Sequence, residues 1–160
     1  MNYTTDIFLK DLLNKFNWDH EVGVVASDEL RRFNICQNFS VISNLSRRSE
    51  EGTHFVAFIL REKTLLYLDP LNIYVELNKD INDFLSWHQQ RGVQVCKLSH
   101  AIQSLYSNYC GFFSLFFCLL FNKSLENSRA KYSKFQKNEL IKNDCIVLHN
   151  IATAINENLS

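Results

Sequence analysis

His54-Phe55-Val56-Ala57-Phe58-Ile59-Leu60 and Thr64-Leu65-Leu66-Tyr67-Leu68-Asp69 are two continuous runs of strand length, separated only by Arg61-Glu62-Lys63. Each is apolar throughout its interior rather than alternating, which is the pattern of strands covered on both faces. The short charged break predicts a hairpin. With Arg61-Glu62 at its tip, paired positions sum to 123 and His54 falls directly across from Asp69. Directly opposed residues share a face at about 4.5 to 5.5 Å between Cβ atoms, close enough for a carboxylate to orient an imidazole. A three-residue or five-residue loop would shift the register by one and break this opposition.

Outward from the hairpin the elements are mixed. Thr4 or Thr5 can cap a helix to about Phe16, with Asp6 in its first turn and Leu9, Leu12, Leu13 and Phe16 on one side. Phe39 to Leu45 alternates loosely and predicts an edge strand, followed by a charged turn over Arg47 to Gly52. Asn78 can cap a helix from Lys79 to about Gln90 with Gly92 just past its end, and Val93 to Leu98 reads as a further strand. From Gly111 to Phe121 apolar side chains surround every side, with Leu and Phe outnumbering β-branched types, as in a buried central helix. In the last segment Ile141, Cys145, Leu148, Ala152, Ile155 and Leu159 recur at intervals of four and three, the stripe of an amphipathic helix. Together these predict an α+β fold: a mixed, mainly antiparallel sheet packed with helices.

A chain of 160 residues is long enough for one sizeable core, and residues 1–160 are expected to form a single domain. Seventeen basic and seventeen acidic residues cancel, so there is no whole-surface field for nucleic acid or an anionic membrane. The apolar run from Phe112 to Phe121 is far shorter than the roughly 20 residues that span a bilayer. No secretory signal pattern is visible at Met1 to Asp6. The five cysteines, Cys36, Cys96, Cys110, Cys118 and Cys145, show no metal-ligand spacing and suit a reducing, intracellular compartment. Lys123 to Asn138 is polar and reads as a surface loop or a short exposed helix; within it Lys123, Arg129, Lys131, Lys134 and Lys137 interleave with Tyr132 and Phe135, a pattern compatible with local nucleic-acid contact or a solvated surface.

Cys110 stands where a polar loop, Ser107-Asn108-Tyr109, turns into the central helix. A thiol at a helix N-terminus meets the partial positive charge of the first-turn N–H groups, which favours thiolate. Cys118 in the helix interior and Cys145 on the last helix's stripe are expected core residues. Of the five histidines, His54 is preferred as the base because the hairpin supplies Asp69 beside it, although an aspartate before Pro70 also suits an ordinary turn. Gln103 lies seven residues before Cys110.

The ordered set of His54, Asp69, Gln103 and Cys110 resembles that of the adenovirus-type cysteine proteases, in the same broad clan as the enzymes that cut ubiquitin-like modifiers. The resemblance is carried by Gly52-Thr53-His54-Phe55-Val56-Ala57-Phe58, Tyr67-Leu68-Asp69-Pro70, Gln103, Cys110-Gly111 and the upstream Leu30-Arg31-Arg32-Phe33, and it spans about Gly23 to Phe121. Phe55 stands where the family usually has Trp. Asp69 stands where adenoviral members carry Glu and is similar to the modifier-cleaving branch. The resemblance implies that Cys110 is the nucleophile, His54 the base, Asp69 its orienting acid and Gln103 an oxyanion donor. It implies a protein or peptide substrate cut through a thioester acyl-enzyme by a monomer that needs no metal.

It further implies maturation cleavage of viral structural or polyprotein precursors, in the host nucleus or cytoplasm or packaged in a virion. An activating viral peptide is suggested by the family, with Cys96 near the position of the cysteine that pairs with it. The balanced charge speaks against the family's DNA cofactor. The alternatives on the same residues are an isopeptidase for a ubiquitin-like modifier, an acyltransferase of the same clan, and a non-catalytic protein-interaction domain.

Overall fold

The computed structural model describes residues 5–73, 78–122, 124–125, 135 and 138–159. The basic stretch predicted around Lys123, Arg129, Lys131, Lys134 and Lys137 lies outside them. The elements run α1 (Asp6–Leu13), β1 (Glu21–Val25), a 3₁₀ segment (Ser27–Phe33), β2 (Phe39–Asn44), β3 (Phe55–Arg61), β4 (Thr64–Leu68), α2 (Lys79–Gln89), β5 (Gln94–Lys97), α3 (Cys110–Leu120) and α4 (Leu140–Leu159). The five strands form one sheet in sequence order. β1 is parallel to β2, β2–β3–β4 is antiparallel, and β5 returns parallel to β4. This is the expected α+β architecture, with two differences at its edge. β2 is interior rather than an edge strand, because the unpredicted β1 covers its flank. β1 itself carries Gly23, which lets the Phe33 ring pack close against the strand; a Cβ there would lie 3.0 Å from the ring tip.

Both faces of the sheet are covered, as the unbroken apolar runs require. Ile42, Phe55, Ala57, Ile59, Leu66 and Leu68 join the core formed with α1, α3 and α4. Phe39, Val41, Val56, Phe58, Leu65 and Tyr67 join the opposite core under the 3₁₀ segment and α2. Phe58 meets Phe84 of α2 edge-on with ring centres 5.3 Å apart, an arrangement that adds to simple area burial.

The local signals set most boundaries. Thr5 Oγ1 accepts from Phe8 N at 3.2 Å, so α1 starts at the second of the two candidate caps. The helix ends at Leu13 rather than near Phe16: Trp18 Nε1 donates to the Leu13 carbonyl at 2.9 Å and the chain tightens there. Asn78 Oδ1 accepts from Ile81 N at 3.1 Å and caps α2, and Gly92 takes the left-handed conformation at φ +78° beyond its end. α3 is buried along its length, with Phe113, Leu115, Phe117 and Cys118 fully inaccessible.

The hairpin register differs from the expected one. Ala57 pairs with Leu68 and Arg61 with Thr64, so partner numbers sum to 125 and the tip is Glu62-Lys63. Glu62 accepts the left-handed conformation at φ +53°, where its N–H donates to Asn38 Oδ1 at 3.0 Å. His54 is therefore not directly opposite Asp69. A slip of two residues keeps every side chain on its face, so the two remain diagonal neighbours.

α4 also differs. Its buried positions are Asn143, Asp144, Val147 and Ile151, whereas Ile141 is 69% exposed and Cys145 is exposed. The helix is rotated relative to its apolar stripe because two polar residues face inward, and Cys145 is not a core residue.

Candidate active site

In the antiparallel part of the sheet, the end of β2, the start of β3 and the end of β4 lie at one end of the strands. His54 precedes β3, Asp69 follows β4, and α3 packs against β3 with Cys110 as its first residue. Topology alone thus gathers three of the four predicted residues, and the β5–α3 loop brings the fourth. His54, Gln103 and Cys110 line a cleft of about 790 Å³, together with Asn44, Gly52, Ser107 and Asn108.

His54 Nε2 and Asp69 Oδ1 are 2.7 Å apart and both residues are buried. Asp69 also does the turn work its place before Pro70 suggested. Its Oδ1 accepts from Leu71 N and its Oδ2 from Ile73 N, each at 2.9 Å. The carboxylate is thus fixed by backbone donors while it holds the imidazole, and the two roles coexist. Burial works to lower the pKa of His54, but the hydrogen bonds and charges of Asp69 and Cys110 outweigh it and push the ring up to about 9. With Nε2 engaged by Asp69, Nδ1 is the ring nitrogen left for the thiol.

Cys110 is partly exposed to the cleft and stands at the N-terminus of α3. Tyr109 offers no side-chain cap, and the first-turn N–H groups of a helix have no intrahelical acceptor. The Cys110 N–H is accordingly available to an oxyanion formed beside its own sulfur. Gln103 is 1% exposed. Its Nε2 donates to the Ser107 carbonyl at 2.9 Å and its Oε1 has no hydrogen-bond partner. One of the two amide protons fixes the side chain and the other remains for a substrate oxygen. The main-chain N–H groups of Ile102 and Gln103 both bind the Pro70 carbonyl, at 2.9 and 3.0 Å, so the loop bearing Gln103 is tied to the turn bearing Asp69.

No family model matches the sequence, and no curated protein matches it. Solved structures do. Chlamydia trachomatis effector protein Cdu1, solved bound to ubiquitin, superposes with a TM-score of 0.53 at 14% identity, over 92% of this chain and 75% of Cdu1. ChlaDub1 from Chlamydia trachomatis gives 0.51 at 15% identity, over the same shares of each chain. The chain shares the Cdu1 fold. That finding supports the expected α+β fold.

The other candidates fall elsewhere. His20 is bound by Asp19 at 2.7 Å and faces Ser40 and Arg61; His88 is buried among Phe39, Phe84 and Trp87; His100 and His149 lie outside the cleft. Cys96 is a free, half-buried thiol of β5 that packs against the core. Among the described residues no cluster of His, Cys, Asp and Glu is suited to a metal, and no helix is long and apolar enough to cross a membrane.

The sequence reading missed Asn44. It is buried at the end of β2, and its Oδ1 accepts from Ser46 N at 2.9 Å and Thr53 N at 3.3 Å, fixing the residue before His54. A Cβ on Gly52 would run into its Nδ2. The only sequence signal was a glycine two residues ahead of the histidine.

Proposed function

We propose that this chain is a cysteine protease that cleaves after the C-terminus of ubiquitin or a ubiquitin-like protein, acting as an isopeptidase. The observation that carries the catalytic half of this reading is the buried 2.7 Å His54–Asp69 bond, with Cys110 beside the ring at an uncapped helix start. The likeness to a protein solved bound to ubiquitin supports the substrate half. So does the loop between Gln103 and Cys110, where Leu105 is 77% and Tyr106 98% exposed, an apolar handle outside the cleft that suits a folded partner.

The chemistry follows from the geometry. His54 accepts the Cys110 thiol proton to give a thiolate–imidazolium pair, and Asp69 fixes the tautomer and stabilises the charged ring. The thiolate adds to the scissile carbonyl. The oxyanion is met by the Gln103 amide and the Cys110 N–H, an arrangement in which each donor is worth about 3 to 4 kcal/mol in the transition state. His54 protonates the leaving amine, then takes a proton from the water that hydrolyses the thioester.

Maturation cleavage of viral precursors, the adenovirus-type alternative, would use the same four residues on unfolded peptide sites. Ubiquitin and ubiquitin-like proteins carrying a C-terminal electrophile separate the two. Adduct formation that outpaces a matching short peptide, and slows when Leu105 and Tyr106 are both changed to Ser, supports the isopeptidase. Equal rates for peptide and folded probes would overturn it.

A further inference from the structure

α4 buries Asn143 and Asp144 completely or nearly so, where its sequence offers apolar residues for the same job. Burying an amide and a carboxylate is costly unless each is satisfied, and local rules are characteristically broken where function demands it. Both side chains are spent on the loop that carries Gln103. Asn143 Nδ2 donates to the Ile102 carbonyl at 3.0 Å, and Asp144 Oδ1 accepts from Ser104 N at 3.2 Å. These two groups flank Gln103 on either side. Its own N–H is taken by Pro70, and its Nε2 by the Ser107 carbonyl. Ser107 is in turn folded back onto the Ser104 carbonyl, through its N–H at 3.2 Å and its hydroxyl at 3.1 Å. The main chain around Gln103 is thus gripped from Pro70 on one side and α4 on the other. Burial pushes the Asp144 carboxyl up, while the Ser104 N–H and the Ser107 side chain act to hold it charged.

We propose that Asn143 and Asp144 are positioning residues for catalysis: they clamp the Ile102 and Ser104 backbone so that the Gln103 amide is held where the oxyanion forms. This rests on the catalytic reading above, and requires nothing about which protein is the substrate. Neither residue touches the reacting atoms. Pre-positioning matters because an oxyanion donor must be in place before charge develops, and a displacement of about 1 Å can cost on the order of 100-fold.

The test is a double-mutant cycle between Asp144→Ala and Gln103→Ala, read on a short peptide aldehyde ending in glycinal. The Cys110 thiolate adds to the aldehyde carbon, the carbonyl π pair moves to oxygen and a proton completes a hemithioacetal, so binding senses the oxyanion site whatever the natural substrate. Alkylation by iodoacetamide, which forms no oxyanion, is the control. Asp144→Ala is expected to weaken the aldehyde at least 10-fold in the wild-type background and less than 2-fold in the Gln103→Ala background, with the alkylation rate of Cys110 within 2-fold throughout. Asp144→Asn, whose amide oxygen can still accept from Ser104, should restore binding. Equal losses in both backgrounds, or parallel losses in alkylation, would overturn the clamp. Should Asp144→Ala not fold, Asn143→Ser, which loses the bond to Ile102, enters the same cycle with the same criteria. A wild-type chain that does not bind the aldehyde at all would instead refute the catalytic reading.

Discussion

Asp69→Asn separates the charge of the acid from its shape. The substitution keeps the volume and leaves an amide oxygen, but removes the negative charge that, with Cys110, raises His54 to about 9 against the pull of burial. From the ordinary value near 6.5, a shift to about 9 is worth roughly 3 kcal/mol in favour of imidazolium. At pH 8 a ring titrating at 9 is about 90% charged, whereas one returned to 6.5 is about 3% charged, so protonation alone predicts a loss of about 30-fold. The sign follows for stability too. The folded pKa of His54 is raised, so its contribution is fully present below about 6.5 and is lost as pH rises through about 9.

The assay is kcat/KM against pH, with melting temperatures of both proteins at pH 6 and pH 9.5. The alkaline limb should lie near 9 in the wild type and move toward neutrality in Asp69→Asn. The melting difference should be larger at pH 6 than at pH 9.5. A pH-independent remainder is expected, because Asp69 also binds the N–H groups of Leu71 and Ile73. An alkaline limb that stays near 9 in the variant would refute the coupling of Asp69 to the base.

Gln103→Ala should lower kcat by about 100- to 1,000-fold with KM little changed, as expected of a donor acting mainly in the transition state; steady-state kinetics with an unchanged kcat would remove it from the site. Gly52→Ala should cost about 1 to 3 kcal/mol in stability and reduce kcat, because the added methyl displaces Asn44, which fixes Thr53; denaturant melts and turnover check both. Phe58→Ala, in the fully buried middle of β3, should cost about 3 to 5 kcal/mol, seen as a shift in the denaturation midpoint without a change in the alkaline limb of activity.

Much of the site was legible in the sequence because its geometry depends on parity more than on detail. The two apolar runs fixed the hairpin, and the expected register was wrong by two residues, yet a shift of two preserves the face and His54 still meets Asp69. A shift of one would have parted them. The place of Cys110 at a helix start was recognisable from the abrupt change of polarity there. β1 was not, because Glu21–Val25 is short, interrupted by Gly23 and flanked by polar residues, and its pairing to β2 is a tertiary fact. The face of α4 was misjudged for a related reason. Periodicity finds the apolar stripe, but here Asn143 and Asp144 are drawn inward by backbone partners near Gln103, contacts no local pattern encodes. Gln103 entered as a candidate through the family resemblance, whose Gln-to-Cys spacing it matches, whereas the α4 residues that bind its neighbours are some forty positions away.

Five free cysteines in one chain make the central claim directly measurable. With limiting iodoacetamide at pH 6, quantified by peptide mapping, Cys110 should be alkylated well ahead of the exposed Cys145, and the lead should vanish in His54→Ala. Faster labelling of Cys145, or a Cys110 rate indifferent to His54, would contradict the assignment of Cys110 as an activated nucleophile.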